Sequence, residues 1–315
     1  MLRHLARRAA GFAVTFLLIS VLVFGMMEIV PGDPASAMLG TSATPETLAA
    51  LRAQMGLDAP AVIRYLRWLG GLLSGDLGVS TTYGVPVGAL ILERLAVTLP
   101  LTGLAVLLAV GIALPLGVTA ASRPGGVADG VATLYAQAGI AVPNFWIGLL
   151  LIMTVALGLG WLPAGGFPGW GDGPGPALRA LLLPALALAI PQSAVLTRVT
   201  RASVVEVMNE DFVRTARAKG ASVSRALWRH AVPNALVPVI TMLGLQISFL
   251  IGGAVLVENV FTLPGMGRLA WQALAQRDLI VIQNVVMVFA TVVIVVNLGV
   301  DLLYTVVDPR LRRRA

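Results

Sequence analysis

Apolar residues in this chain fall in long unbroken runs, without the strict alternation of a half-buried strand. A helix crossing a bilayer needs about 20 mostly apolar residues, because the hydrocarbon core is roughly 30 Å thick and each residue rises about 1.5 Å. Six stretches qualify: Gly11 to Met27, Leu99 to Ala121, Gly130 to Leu157, Ala180 to Leu196, Ala235 to Val257 and Leu279 to Leu303. The pattern predicts an all-α, polytopic membrane protein with six transmembrane helices. The first stretch follows Arg3, Arg7 and Arg8 as a signal peptide would. It exceeds a typical h-region and runs into Glu28-Ile29-Val30-Pro31 without a small-residue cleavage pattern, so it reads as an uncleaved anchor.

Two polar connections are too long to be turns. Between Glu28 and about Thr98, Thr44-Pro45-Glu46 reads as an N-cap followed by proline at the first helical position, and Gly56 closes that helix. A second helix, from about Asp58 through Leu73, carries Val62, Ile63, Leu66 and Leu69 on one side. It suits a cap packed on the bundle, a membrane surface or a partner equally. From Arg198 to Pro233, Asn209 is placed to cap a short helix running through Lys219, with Gly220 in the left-handed position after it. Arg214, Arg217 and Lys219 crowd its last turns, where the helix dipole favours cations. Glu210 precedes Arg214 by four residues, the favourable order for a surface pair. Met208, Phe212 and Ala216 form a short apolar stripe. That stripe fits either a solvated helix at the headgroups or a knob entering a groove on a partner.

Composition supports the membrane reading: 57% of the 315 residues are hydrophobic and 12% charged, about half the charge of an ordinary globular chain. The mean hydropathy is +0.89. The absence of cysteine excludes disulfides, thiolate nucleophiles and iron–sulfur clusters, and His4 and His230 are the only histidines. The net charge of +7 would suggest nucleic acid in a soluble protein. Here it sorts by topology. With the N-terminus inside, fifteen of the 22 Lys and Arg residues fall on cytoplasmic segments, including Arg198, Arg201, Arg214, Arg217, Lys219, Arg225 and Arg229 in one loop. The positive-inside rule therefore places both termini in the cytoplasm.

The stretch Asp211-Phe212-Val213-Arg214-Thr215-Ala216-Arg217-Ala218-Lys219-Gly220, followed by Trp228-Arg229-His230-Ala231-Val232-Pro233-Asn234, resembles the EAA loop of ABC importer permeases. Ala216, Gly220 and Pro233 match the general motif, whereas Arg214, Thr215, His230 and Val232 depart from it in the form the dipeptide, oligopeptide and nickel branch shows. The resemblance spans nearly the whole chain. It takes in Val30-Pro31-Gly32-Asp33-Pro34-Ala35, Tyr65-Leu66-Arg67-Trp68, Gly75-Asp76-Leu77-Gly78, Pro143-Asn144-Phe145-Trp146, Glu258-Asn259-Val260-Phe261, Pro264-Gly265-Met266-Gly267 and Asp308-Pro309-Arg310. It is most similar to the B-type subunit, with its long first outer loop.

The resemblance implies a permease subunit with no catalysis and no bound cofactor of its own. A P-loop requires Gly-x-x-x-x-Gly-Lys-Ser/Thr, and the only lysine, Lys219, follows Ala218. ATP and magnesium are thus expected on two separate ATPase subunits. A paralogous permease completes the passage and an extracytoplasmic solute-binding protein delivers the solute to this inner-membrane component. The expected ATPase-coupling residues are Asp211, Phe212, Arg214, Thr215, Ala216, Arg217, Lys219, Gly220 and Pro233. The expected organisation is an N-terminus and first span over 1–30, an extracytoplasmic helical loop over 31–97, a permease core over 98–305 with its coupling loop at 198–234, and a basic cytoplasmic tail over 306–315.

Polar residues within the spans are Asn144, Gln192, Ser193, Gln246, Ser248, Asn284, Asn297 and Asp301. Each suits an interhelical hydrogen bond or a pathway lining, and Asn144, Gln246 and Ser248 are the pathway candidates. Pro143, Pro184, Pro191, Pro233 and Pro238 mark candidate kinks. A stand-alone secondary transporter or channel would more often show inverted repeats and midplane charges. An intramembrane hydrolase needs a nucleophile and a base at membrane depth, and neither histidine lies there. Within the branch, dipeptides, oligopeptides, glutathione-like compounds and nickel chelates all remain open as solutes. The sparse acidic complement of the spans tilts towards peptides.

Overall fold

The computed structural model describes residues 2–29, 34–40 and 43–307, with side chains over 10–29, 35–36, 39–40 and 43–300. Val30-Pro31-Gly32-Asp33, the tail from Asp308 and the side chains of His4 and Asp301 lie outside the described residues. The helices are α1 (Leu2–Ile29), α2 (Pro34–Leu39), α3 (Pro45–Gln54), α4 (Ala61–Ser74), α5 (Val87–Ser122), α6 (Val127–Ala141), α7 (Asn144–Leu151), α8 (Pro174–Met208), α9 (Asp211–Ala218), α10 (Val223–Ala226), α11 (Val232–Val260), α12 (Met266–Gln276) and α13 (Leu279–Val307). Among the described residues there is no strand, only an isolated antiparallel bridge between Val79 and Pro86. Among the described residues five helices are long and apolar enough to cross a membrane, or six if one bent pair is counted as a single span.

That bent pair is α6 with α7 and its π-helical extension Ile152–Gly158, turned by 103° at the break. The sequence reads Gly130 to Leu157 as one span; the structure divides it at Val142-Pro143. Pro143 has no N–H to continue the helix and holds Val142 in an extended conformation (φ −96°, ψ 125°). Pro184 and Pro191 stay inside α8, and Pro238 inside α11. Pro233 stands in the first turn of α11, directly after the π-helical turn Leu227–Ala231.

The chain divides into two compact units. The first comprises residues 1–98 and 264–295. Here Thr44 caps α3 reciprocally with Thr47, with Pro45 at the first helical position as the sequence indicates. Phe24 of α1 stacks with Tyr65 and Trp68 of α4, and Ser20 hydrogen-bonds Tyr65 at 2.8 Å. Val87 and Ile91 of α5, Met266, Leu269 and Ala273 of α12 and Val281 and Val285 of α13 form a buried cluster. The α12 helix is about 16 Å long at 1.5 Å per residue, far short of a span. Its first N–H, on Met266, donates to Thr98 Oγ1 at 2.8 Å.

The second unit, residues 99–263 and 296–315, is organised around α8. Two thirds (67%) of the apolar window of α8 is buried, against 11% for α1. Helices α6, α7 and α11 pack on α8, and Ala185, Ala187, Ala189 and Ala194 are fully covered at these contacts. Small side chains let helices approach closely where van der Waals contact must replace the hydrophobic effect. A Cβ on Gly139 would stand 2.6 Å from Ala194 Cβ.

Candidate coupling site

The segment joining α8 to α11 is built from short elements with identifiable stops. Asn209 takes a helical conformation and donates its amide to Val205 O at 2.9 Å, so it closes α8. This corrects the expectation that Asn209 caps the next helix. The N-cap of α9 is Glu210, extended at φ −67° and ψ 149°, without a side-chain cap bond. Gly220 has φ +92°, the left-handed region that glycine enters without steric cost. Ser222 then caps α10 by accepting from Arg225 N–H at 3.3 Å. Continuous helix follows through the π-helical turn into α11, where the Asn234 amide donates to His230 O at 2.7 Å.

Val213 anchors α9 and is fully buried, with Ala216 half-buried one turn on. Leu227, Ala231 and Ala235 bury against Val204 of α8 and against Val118 and Ala121 at the end of α5. The other face of α9 is open: Asp211, Phe212, Arg214, Thr215, Arg217, Lys219 and the following Gly220 are exposed, Phe212 to 45%. The apolar stripe read as Met208, Phe212 and Ala216 therefore splits, with Phe212 outward and Val213 taking the inward place. Arg214 pairs at 3.6 Å with Asp211, not with Glu210, and both partners are largely exposed. Such a pair adds little stability. The result is a short helix held from beneath, with an aromatic ring and three cations exposed on its other face.

An ion pair at the same end of the unit was not apparent from the sequence. The Arg201 guanidinium on α8 grips the Asp129 carboxylate on α6 with two hydrogen bonds, the Nη2 bond at 2.7 Å. Gly125 N–H also donates to Asp129 at 2.8 Å. The partners are 72 residues apart, so no local spacing signals them; the only hint is an acidic residue in the first turn of a helix.

The pathway candidates are placed unequally. Asn144 opens α7, with Oδ1 accepting from Phe145 N–H at 2.7 Å. Its amide nitrogen would lie 2.4 Å from a Cβ on Gly253 of α11. Gln246 of α11 is buried and donates to Gln192 O of α8 at 3.1 Å. Gln246 and Gly253 share the face of α11 that carries Leu250 and Val257, whereas Ser248 lies on the opposite side and is half-buried. Ser193 hydrogen-bonds Tyr135 between α8 and α6.

A multi-pass helical subunit with a short, outward-facing helix between two spans is the architecture of an ABC importer permease, and the comparisons agree. Residues 113–313 match the family described as binding-protein-dependent transport system inner membrane component, and residues 1–102 match the description of its N-terminal region. The chain belongs to this family. It is 40% identical to the oligopeptide transport system permease protein AppB of Bacillus subtilis (strain 168), with 99% of each chain covered. It is 38% identical to the dipeptide transport system permease protein DppB of Escherichia coli (strain K12), with 100% of each covered. A chain of the MetNI methionine ABC transporter, solved in an inward-facing conformation, superposes with a TM-score of 0.57 at 16% identity, covering 70% of this chain and 96% of that one. That likeness establishes the fold over the matched part of the chain.

Proposed function

We propose that this chain, with a paralogous permease subunit, forms the passage of an importer for di- and oligopeptides. Its solute arrives from an extracytoplasmic binding protein, and two ATPase subunits carrying ATP and magnesium drive it. The observation that supports this most strongly is the full-length similarity to peptide permeases combined with the exposed face of α9. On this reading α9 seats in a groove of an ATPase, Phe212 enters the groove, and Arg214, Arg217 and Lys219 meet its charged rim. Gly220 lets the chain turn back, and Pro233 starts the span that carries the movement into the bilayer.

The proposed topology places α9, the end of α5, the start of α6 and both termini in the cytoplasm, with loop 31–97 outside, core 98–305 and tail 306–315. Asn144, Gln246 and Ser248 are proposed to border the passage in at least one state of the cycle. In the absence of native cysteine, single-cysteine variants report this directly: labelling that changes with ATP and binding protein supports it, and constant labelling rejects it. The function itself is tested in proteoliposomes containing both permeases, both ATPases and the binding protein. Uptake of a radiolabelled tripeptide should require every component and ATP. Uptake by this chain alone would instead make it a secondary transporter.

A further inference from the structure

A cavity of about 230 Å³ lies between α6 and α8 within the second unit. The two helices run antiparallel: Asp129 meets Arg201 at one end, and Gly139 packs on Ala194 about three turns further along α6. Asp129, Ala132, Ala136 and Gly139 form the buried side of α6. Its exposed remainder has two unlike flanks. Val127, Val131 and Leu134 make one of them apolar. On the other, Thr133, Gln137 and Ile140, at the i, i+4, i+7 spacing, border the cavity and are exposed.

From α8 come Arg198 and Arg201, three residues apart, so both guanidinium groups reach the same cavity. Arg198, Thr133 and Gln137 are exposed, and their side chains make no hydrogen bond or ion pair among the described residues. Arg201 is partly exposed and uses Nε and Nη2 on Asp129, which leaves Nη1 to donate. Among the described residues no acid lines the cavity. The Asp129 carboxylate balances Arg201 and also accepts from Gly125 N–H, so the positive charge of Arg198 stands uncompensated beside two neutral donors. Such a set suits an oxyanion, and a guanidinium fork matches a carboxylate with two parallel hydrogen bonds.

The surroundings select which oxyanion. A charge carried inside a spanning helix faces protein or a water-filled cavity and not lipid, and Arg198 lies inside the span Pro174–Met208. The apolar flank of α6 is the one suited to hydrocarbon; the flank of Thr133 and Gln137 is suited to water. This inference rests on the reading of the chain as half of a peptide passage: that water then belongs to the passage, and the anion crossing it is a peptide carboxylate. A site enclosing a whole drug-sized ligand measures roughly 300–1,000 Å³, so this smaller cavity takes one end of a peptide and not its length. We propose that Arg198, with Arg201 Nη1, Thr133 and Gln137, holds the C-terminal carboxylate of the transported peptide near the cytoplasmic end of the passage.

The chain has no cysteine, so Ile140→Cys puts a single reporter thiol of this subunit in the cavity wall. Nanodiscs holding both permeases and both ATPases, without nucleotide, are treated with a charged maleimide, and alkylation is read by mass spectrometry of this chain. The binding protein is omitted so that its own recognition of peptide ends does not contribute. Millimolar trialanine should slow the alkylation, and trialanine amide, which lacks the carboxylate, should need about tenfold more for equal protection, as for the loss of one charge-assisted hydrogen bond. Arg198→Gln should raise the trialanine requirement by a similar factor. Gln137→Leu should raise it severalfold and tests the site should Arg198→Gln fail to assemble. Equal protection by trialanine and its amide, or unchanged protection in the assembled variants, overturns the proposal. Labelling that follows the phosphatidylglycerol content of the nanodisc and ignores trialanine assigns the cavity to a lipid phosphate and overturns it as well. Uptake by the complete wild-type system separates the two levels. If uptake proceeds while protection fails, the site falls and the function stands; if uptake is absent, the function falls and this site with it.

Discussion

Ser80 donates its hydroxyl hydrogen to the Asp278 carboxylate across 198 residues of sequence and accepts a hydrogen bond from Tyr83 N–H at 2.9 Å. Asp278 also takes Thr82 N–H at 3.1 Å and Val281 N–H at 3.2 Å, the latter as N-cap of α13. One buried carboxylate thus closes the turn before α5 and starts the last spanning helix. Burial alone would raise its pKa, but the hydrogen bonds from Ser80, the Thr82 and Val281 backbone and Thr81 outweigh burial and hold it below the ordinary value of 3.8.

Asp278→Asn should therefore cost about 1–3 kcal/mol, because the amide NH₂ faces donors that need an acceptor. The sign of the pH effect follows from the lowered folded-state pKa. The stabilisation is complete above the unfolded-state value and is lost as pH falls through the lower folded value. Thermal midpoints in detergent should drop for the wild type as pH falls below 3.8, and less steeply for the variant. An identical acid limb in the two proteins would show that this carboxylate does not carry the linkage.

Gly220→Val places a β-branched residue at φ +92°, where strain of about 1–2 kcal/mol is expected. No side chain stands within 4 Å of an added Cβ, so the strain acts on the turn after α9 and not on the core. A shift of that size changes the seated population of α9 about five- to thirty-fold. Peptide uptake in proteoliposomes should fall by that order while the thermal midpoint moves only a few degrees. Full uptake would remove Gly220 from the coupling route.

Phe212→Ala should leave stability nearly unchanged, because the ring is already 45% exposed, yet weaken ATPase binding. Aromatic anchors at interface centres cost about 2 kcal/mol or more on truncation, which is roughly thirty-fold in Kd. Val213→Ala supplies the contrast: Val213 is buried, so its loss should lower stability first. Binding of purified ATPase to the two variants, measured beside their unfolding midpoints, separates the outward residue from the inward one.

The contrast between these neighbours marks where sequence reading stops. Thr44, Pro45 and Gly56 bound α3 by local backbone chemistry, and Pro143 breaks a span through its own missing N–H, so all four features are visible in the chain. Phe212 and Val213 belong to adjacent stripes of one short helix, and periodicity alone does not say which of the two is buried. Asn209 suits both the end of α8 and the start of α9, and the bond to Val205 O settles it at the former. Asp129–Arg201 and Ser80–Asp278 arise only when distant segments meet, although Asp278 just before the apolar run from Leu279 is itself an N-cap signal.

The Asp129–Arg201 pair should behave as a coupled unit. Removing one partner from a buried pair costs about 3–5 kcal/mol; Arg201 keeps 34% of its side chain exposed, so Asp129→Ala should fall at or below the lower end. Replacing both, as Asp129→Leu with Arg201→Met, should recover much of that loss, because no uncompensated charge remains. A double-mutant cycle on unfolding midpoints in detergent should give a coupling of at least about 1 kcal/mol. Additive losses would mean that α6 and α8 are held at this end by packing alone.

Gly253→Ala tests the contact on which α7 meets α11. The new methyl would stand 2.4 Å from Asn144 Nδ2 and 3.2 Å from Leu188 Cδ2, so Asn144 must move or the helices must part, at about 1–3 kcal/mol for overpacking. Asn144→Ala removes the nearer obstacle and loses the bond from Phe145 N–H. The double variant should then be more stable than the sum of the two single losses implies. Should the losses simply add, the obstacle to a side chain at Gly253 is Leu188, and Asn144 does not set the separation of the two helices.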